Sequence, residues 1–391
     1  MNPAPDRVST TRILVVGLGA VGSATLYQLA LRGIACHGID AHYPPHALGS
    51  SHGQTRITRL AVGEGAAYVS LVQRSHAIWR SLESQAQTRL LHTCGGLVFG
   101  GRHERLQAHG SADFLQTTCD VASQHRIQHE RLDAHQMQSR FPAFCFEGDE
   151  EGYYEPEAGY VMPERCIEVQ LGEAKRLGAA ITTGCRMTGW HSIKGGYRVE
   201  TAKGAFDCET LILCTGPWVA DALPTLKDHA TPYRKVLHWF EPGGPGEWFE
   251  PGTMPVFIRV PYRGHEMIYG FPEVKGPGSG LKVATESFTQ SCHPGTMDRE
   301  VLPSESEVMA RITRTHLRIG KRCLHSVVCP YTVTPDFGFL IDRHPVARDV
   351  WVASPCSGHG FKHSAAVGEI LAEVSIGQPS PMDLSAFAWR F

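Results

Sequence analysis

The chain has 391 residues, 42% hydrophobic and 19% charged, with a formal net charge of −2. This length favours two domains, and the balanced charge does not suggest a nucleic-acid surface or a polybasic membrane patch. No stretch approaches the roughly 18 uninterrupted apolar residues of a membrane helix, and the N-terminal segment MNPAPDRVSTTR lacks the apolar core of a secretion signal. Because the twelve cysteines include no CxxC pair, we expect a cytoplasmic protein with reduced thiols and no metal site.

A glycine-rich turn lies between an apolar run and a helical segment near the N-terminus. The run at 13–16 is typical of a buried parallel strand. Gly17, Gly19 and Gly22 follow in a GxGxxG pattern, which permits a tight turn, close approach of a pyrophosphate and close helix packing. Asp40 ends a second apolar run, where it would accept hydrogen bonds from ribose hydroxyls and repel a 2′-phosphate. The unit predicts a dinucleotide site without separating FAD from NAD.

The rest of the chain alternates α/β segments with runs typical of an antiparallel sheet. Helices are predicted near 66–88, 163–177, 304–317 and 361–376, and strands near 96–99, 159–161, 178–181, 197–201, 205–208, 210–214, 235–240, 256–260, 267–271, 281–285, 327–334, 339–342 and 351–353. We infer an α/β fold with an added antiparallel sheet. A Rossmann-like nucleotide-binding domain (1–90, 150–225 and 325–391) is interleaved with a mixed or antiparallel substrate domain (91–149 and 226–324).

Two further stretches contain candidate binding residues. Residues 41–65 predict an irregular loop, in which Arg56 and Arg59 would share a face if the segment were helical. An arginine there offers a two-pronged donor to a carboxylate, but spacing alone favours two solvated surface arginines. The run at 210–214 ends at Thr215 and Gly216, which form either a second approach to a cofactor or a simple turn.

Several motifs together carry a resemblance to a known family. They are GLGAVG, DAHYPPHALGSSHGQTRITRLAVGEG, YGFP followed by GLK, CPYT followed by FLID, and SGHGFK. In this order, from about residue 12 to the C-terminus, they closely resemble monomeric sarcosine oxidase and N-methyltryptophan oxidase. The resemblance implies a D-amino-acid-oxidase-like fold, bound FAD, and oxidation of the secondary amine of an N-methyl or cyclic amino acid.

The resemblance also implies roles for individual residues. Cys329 matches the position that joins FAD covalently through a thioether, whereas a lone cysteine is otherwise more often a buried small hydrophobe. Lys282 matches the lysine that supports reaction with O2, and Arg59 and Lys362 match the pair that holds the substrate carboxylate. The remaining implied positions are Arg56, Tyr269, Glu286 and His359 for catalysis, Tyr331 for substrate, and Gly17, Gly19, Gly22, Asp40, Ser51, His52, Thr55, Arg56, Thr215, Gly216, Gly358, Gly360, Phe361 and Lys362 for the cofactor.

Glu286 is the most informative departure from the family pattern. The family carries a histidine over the substrate, four residues after the active-site lysine, where this chain has Glu286. Residues four apart in a strand point to the same side, so we expect Glu286 to share a face with Lys282. There it would either pair with Lys282 or meet a cationic or hydroxyl-bearing part of the substrate. This favours a substrate other than sarcosine itself.

The predicted reaction is hydride transfer from a neutral amine to FAD, followed by reduction of O2 to H2O2. The partners implied are a small amino-acid substrate and O2, with no nucleic acid or membrane, and a monomer is the family default. Two alternatives stay open: a flavin dehydrogenase of the same fold that uses another acceptor, and a non-catalytic flavin-binding protein. A nicotinamide dehydrogenase would leave Cys329 and Lys282 unexplained.

Overall fold

The computed structural model describes residues 8–102, 107–261 and 263–391, so the first seven residues of the N-terminal segment lie outside the described part. The strands are β1 (Val8–Val16), β2 (Cys36–Ile39), β3 (Arg56–Thr58), β4 (Leu91–Thr93), β5 (Gly96–Gly101), β6 (Glu130–Asp133), β7 (Glu150–Glu155), β8 (Gly159–Val161), β9 (Ala180–Thr182), β10 (Met187–Ile193), β11 (Gly196–Thr201), β12 (Gly204–Leu213), β13 (Thr231–Pro242), β14 (Val256–Arg259), β15 (Ile268–Phe271), β16 (Leu281–Thr285), β17 (Ile319–Val333), β18 (Leu340–Arg343) and β19 (Val350–Ser354). The helices are α1 (Ala20–Leu31), α2 (Val69–Ala86), α3 (Phe114–Gln124), α4 (Ala134–Arg140), α5 (Pro163–Arg176), α6 (Val219–Ala222), α7 (Pro303–Arg314) and α8 (Ser364–Ser375).

The first large sheet contains the predicted dinucleotide unit. Its order is β10-β11-β12-β1-β2-β9, with β19 also paired to β12 and β18 paired to β19. β1 runs parallel to both β2 and β12, and Ile13, Leu14 and Val15 are fully buried. Each such side chain contributes about 1.5–3 kcal/mol by leaving water. α1 packs against α5 and α8, which confirms the predicted α/β fold with a Rossmann-like unit.

The second large sheet forms a wall behind the candidate site. Its order is β17-β13-β16-β15-β14-β5-β7-β6, and it is mixed, because β14 pairs parallel with β5 while the other pairs are antiparallel. A core rich in phenylalanine packs on it, with Phe99, Phe144 and Phe257 almost fully buried. Cys329, Lys282 and Tyr269 lie on β17, β16 and β15 respectively, so one sheet positions all three.

The proposed division into two discontinuous domains stays a prediction. β7 belongs to the second sheet, although the predicted bounds assign residues 150–225 to the nucleotide-binding part, and β17 runs across the predicted boundary at 325. A small sheet, β3-β8-β4, completes the framework. Within the described ranges, no helix has the length and apolar character needed to cross a bilayer.

Candidate active site

A cavity of about 390 Å³ is lined by residues of both large sheets and brings most of the predicted site residues together. The predicted residues that line it are Gly17, Gly19, Asp40, Ser51, Arg56, Arg59, Thr215, Gly216, Tyr269, Glu286, Cys329, Tyr331, Gly358, His359, Gly360, Phe361 and Lys362. Gly22, His52, Thr55 and Lys282 are not among the lining residues. Lys282 donates hydrogen bonds to Thr55 and to Gly53, both in the loop that precedes β3.

The glycine turn presents bare backbone at the start of α1. Gly17 has a φ of +87°, and a Cβ there would lie 2.4 Å from the carbonyl oxygen of Cys214. A Cβ at Gly22 would lie 1.7 Å from the carbonyl oxygen of Gly17, so the helix sits directly on the turn. A Cβ at Gly19, by contrast, would meet only the Ser51 hydroxyl at 3.8 Å. The space before the helix N-terminus is therefore open, as a diphosphate group requires.

Asp40 is ionised, and its carboxylate oxygens can accept further hydrogen bonds. Its two carboxylate oxygens accept hydrogen bonds from the backbone N–H groups of Leu18 and His42, each at 2.7 Å. Burial opposes ionisation of Asp40, but the contacts with His46, Leu18 and His42 outweigh it and lower the pKa. A carboxylate oxygen has a second lone pair, so ribose hydroxyls fit here.

Buried polar atoms without partners lie along the same cavity. Among the described residues, nothing hydrogen-bonds the hydroxyls of Ser50 and Thr215 or the indole N–H of Trp218, although all three residues line the cavity. Buried polar groups are nearly always hydrogen-bonded in folded proteins. These atoms, the open glycine turn and Asp40 together fit an extended dinucleotide such as FAD.

Cys329 lies in the cavity wall beside several basic side chains. It is 5% exposed and pairs across the sheet with Lys235 on β13. Burial raises the pKa of the Cys329 thiol, and the positive charges of Arg56 and Lys282 oppose that change. Arg56 donates to the carbonyl oxygens of Thr55 and Ser50 at 2.8 and 2.6 Å. These two hydrogen bonds therefore fix the loop that precedes β3.

Lys282 is buried behind the cavity wall. Its Nζ donates to the carbonyl oxygens of Gly53 and Thr55 at 2.7 and 2.8 Å and to the Thr55 hydroxyl at 3.2 Å. Three acceptors match the three N–H groups of an ammonium. Burial, and then the charge of Arg56, lower the pKa of Lys282 well below its ordinary value. These three hydrogen bonds therefore fix the side chain in place.

Glu286 does not pair with Lys282, so that predicted alternative is wrong. Its carboxylate accepts a hydrogen bond from the Tyr331 hydroxyl at 2.6 Å and lies 3.5 Å from Nε2 of His109. β16 ends at Thr285, so strand alternation no longer fixes the partners of Glu286. Burial opposes ionisation of Glu286, but His109, Lys235 and Tyr331 outweigh it and lower the pKa.

Arg56 and Arg59 do not lie on a helix, so they do not share a helical face. Arg56 lies in β3, and Arg59 follows the end of this strand. Arg59 instead donates to Glu64 Oε2 at 3.1 Å. Lys362 Nζ lies 3.8 Å from Glu64 Oε1, and His109 Nδ1 lies 3.1 Å from the same oxygen. The two predicted carboxylate-binding cations therefore converge on one buried acid.

The protonation states around Glu64 follow from these contacts. Burial alone would raise the pKa of Glu64, but Lys362 and Arg59 lower it well below its ordinary value. Burial lowers the pKa of Lys362 to about 8, with Glu64 opposing the change. Burial also disfavours protonated His109, yet Glu286 and Glu64 outweigh it and raise its pKa to about 9. Arg59, Glu64, His109, Glu286 and Lys362 form one buried cluster. At neutral pH this cluster therefore contains three cations and two carboxylates.

The SGHG turn shapes the wall next to this cluster. Gly358 has a φ of +82°, and a Cβ there would lie 1.2 Å from the Tyr331 hydroxyl. His359 donates from Nε2 to the carbonyl oxygen of Phe337 at 3.1 Å, and burial lowers its pKa to about 3. Glycine at 358 thus leaves room for Tyr331 to reach Glu286, and His359 is neutral.

Three functional residues of the site, Glu64, His109 and Lys235, were not predicted from the sequence. His109 meets Glu64 across 45 residues of chain, and Lys235 donates to the backbone carbonyls of Thr285 and Ser287, which flank Glu286. One physical signal pointed to Glu64: two buried cations need a nearby anion, because an unpaired buried charge is strongly destabilising. No local spacing pointed to His109 or Lys235.

Comparisons with known proteins show the family of the chain. Residues 12–374 match the family model described as DAO, FAD dependent oxidoreductase. The chain is 37% identical over 369 residues to monomeric sarcosine oxidase of Streptomyces avermitilis, covering 94% of each protein. It is 32% identical over 380 residues to N-methyl-L-tryptophan oxidase of Yersinia pestis, covering 96% of this chain and 98% of that protein.

The fold is also that of NikD, described as an unusual amino acid oxidase essential for nikkomycin biosynthesis. The two structures align with a TM-score of 0.83 at 20% identity, covering 97% of each chain. The two large sheets thus belong to a fold that this amino acid oxidase also has. The chain therefore belongs to the DAO family of FAD-dependent oxidoreductases, together with monomeric sarcosine oxidase and N-methyl-L-tryptophan oxidase.

Proposed function

We propose that this protein is an FAD-dependent oxidase that converts the C–N bond of a secondary-amine amino acid to an imine and reduces O2 to H2O2. The substrate is an N-methyl or cyclic amino acid. One observation carries the proposal: a single cavity extends from the open glycine turn, past Cys329, to the buried cations Arg59 and Lys362. The relatives named sarcosine oxidase and N-methyl-L-tryptophan oxidase support the same reaction class.

The residues that would hold FAD follow the cavity in order. Gly17 and Gly19 would receive the diphosphate at the start of α1, and Asp40 would accept the ribose hydroxyls. Cys329 would carry the ring system through a thioether. When bound, FAD would accept the hydride from the substrate and pass the two electrons on to O2.

The charge of the cluster supports a carboxylate-bearing substrate. Arg59, Lys362 and protonated His109 carry three positive charges. Glu64 and Glu286 carry two negative charges, so the positive charges outnumber the negative ones even before Lys235, which lies beside Glu286, is counted. A substrate carboxylate with a neutral amine would add a compensating negative charge. Arg59 and Lys362 would then orient the reacting carbon.

The groups around the substrate favour the neutral amine without a strong base. Nearby cations and burial both lower the pKa of an amine. Tyr331 stays protonated, because burial and Glu286 raise its pKa well above the ordinary value. Burial likewise raises the pKa of Tyr269. The two tyrosines would therefore hold the substrate and exclude water from it, rather than exchange protons with it.

Lys282 would assist the oxidative half of the cycle. A cation in a poorly solvated site stabilises the negative charge that O2 gains on reduction. A protein that used an acceptor other than O2 would have no need for this lysine. A monomeric state and a cytoplasmic location complete the proposal and are testable by sedimentation and by cell fractionation.

The experiment that tests the function uses the purified protein as it is isolated. Acid precipitation should leave the yellow flavin in the pellet, and Cys329→Ser should release it to the supernatant. A panel of N-methyl and cyclic amino acids should yield H2O2 with at least one member. Flavin in the wild-type supernatant would contradict the tether, and a panel without peroxide from a flavin-loaded protein would contradict the oxidase.

A further inference from the structure

His109 has an unusual position between two buried carboxylates of the cavity. It precedes α3, and its side chain reaches the cavity wall, where it is 6% exposed. Nδ1 lies 3.1 Å from Glu64 Oε1 and Nε2 lies 3.5 Å from Glu286 Oε2. The imidazole thus hydrogen-bonds Glu64 through Nδ1, and Nε2 makes an ion-pair contact with Glu286, an acid from a different part of the chain.

Packing holds the His109 ring in this place. The ring stacks against Phe337 and His359 at centroid distances of 6.0 and 5.8 Å, and Phe114 meets its edge at 5.7 Å. The backbone of His109 is left-handed, with a φ of +48°. A residue other than glycine keeps such a conformation only where its surroundings enforce it. The contacts of the His109 side chain therefore hold the ring in the cavity wall.

We propose that His109 is a specificity-determining residue, whose imidazolium fills the end of the substrate cavity between Glu64 and Glu286 and restricts the substrate to small, uncharged side chains. The proposal deepens the proposed function, on which it rests for the position of the substrate carboxylate at Arg59 and Lys362. Glu286 follows as a partner of His109 and Tyr331, rather than as a receptor for a cationic substrate.

The two carboxylates next to His109 predict how a shorter side chain at this position would change the ligand preference. Shortening His109 removes the cation between Glu64 and Glu286 and leaves space in its place. Glu64 keeps its contacts with Arg59 and Lys362, but Glu286 loses its ion pair with His109, so the vacated space should take a positively charged group. A ligand that joins a carboxylate to a terminal ammonium through a flexible chain should therefore bind the shortened variant better than an uncharged ligand of equal length.

The test uses the flavin-loaded protein and ligands without an α-amine, which cannot react. Binding of 6-aminohexanoate, heptanoate and propanoate is measured by calorimetry for wild type, His109→Ala and His109→Asn. Asparagine tolerates the left-handed backbone, so His109→Asn decides the matter if His109→Ala fails to fold. His125→Ala is the matched control, because His125 is exposed at the end of α3.

We expect wild type and His125→Ala to prefer propanoate over both longer acids. Both His109 variants should bind 6-aminohexanoate about tenfold more tightly than wild type, with a smaller gain for heptanoate. Equal gains for both long acids would overturn the charge argument. Unchanged affinities, or a wild type that already prefers the long acids, would overturn the proposal itself.

Separate measurements distinguish a failure of the proposed function from a failure of this inference. Loss of propanoate binding in Arg59→Met or Lys362→Met tests the carboxylate pair, and peroxide release tests the oxidase. A protein that binds the acids as expected but yields no peroxide would refute only the reaction. A peroxide-forming enzyme whose ligand selectivity does not respond to His109 would refute only the inference.

Discussion

Lys362 should make carboxylate binding depend on pH in a predictable way. Burial lowers the pKa of Lys362 to about 8, so the free protein holds the ammonium below that pH and loses it above. If the carboxylate binds only the ammonium form, affinity is constant below pH 8 and falls about tenfold, or about 1.4 kcal/mol, for each pH unit above it. His109, whose pKa is about 9, adds a second loss at higher pH.

The assay is calorimetric binding of propanoate between about pH 6 and about pH 10 for wild type and Lys362→Arg. Arginine stays protonated throughout this range, so the variant should lose the break near pH 8 and keep the one near pH 9. Lys194→Arg, in the exposed turn after β10, is the control and should match wild type. A break near pH 8 that survives in Lys362→Arg would refute the assignment to Lys362.

Two further substitutions test the other parts of the site. Lys282→Met should leave anaerobic reduction by substrate nearly intact and slow reoxidation by O2, measured by stopped-flow absorbance; unchanged reoxidation would instead favour the dehydrogenase alternative. Gly358→Ala should lower the free energy of unfolding by about 1–3 kcal/mol more than Gly377→Ala, measured by denaturant titration. Both glycines have positive φ values, +82° and +83°, but a Cβ at Gly377 meets nothing within 4 Å, whereas one at Gly358 strikes Tyr331. Equal losses would show that Tyr331 does not need this space.

The sequence predicted the framework well, because the framework depends on local patterns. The strand at 13–16, the glycine turn and the helix after it appear as β1 and α1. The predicted runs at 235–240 and 281–285 lie within β13 and β16. Alternating and helical spacings are properties of neighbouring residues, so a single sequence contains them. The family resemblance is likewise confirmed, since it rests on several motifs in one order.

The interior of the site was less predictable, because its contacts join distant residues. Alternation along β16 suggested that Glu286 could pair with Lys282, but the strand ends one residue before Glu286. The nearest partners of Glu286 are Tyr331 and His109, which are 45 and 177 positions away in the chain. No spacing rule relates such residues, and their meeting is decided by how loops close over the two sheets.

Pairing of buried charge explains why these residues occur together. A buried ion is tolerated only next to opposite charges, and removal of one member leaves another unpaired. The cluster alternates in sign, with Glu64 between its cations and His109 between its two acids. The cations of this cluster outnumber its acids. A ligand that brings one carboxylate completes the alternation, and an amine without a carboxylate does not. The electrostatics that hold the cluster together therefore favour, in the proposed function, a substrate that carries a carboxylate.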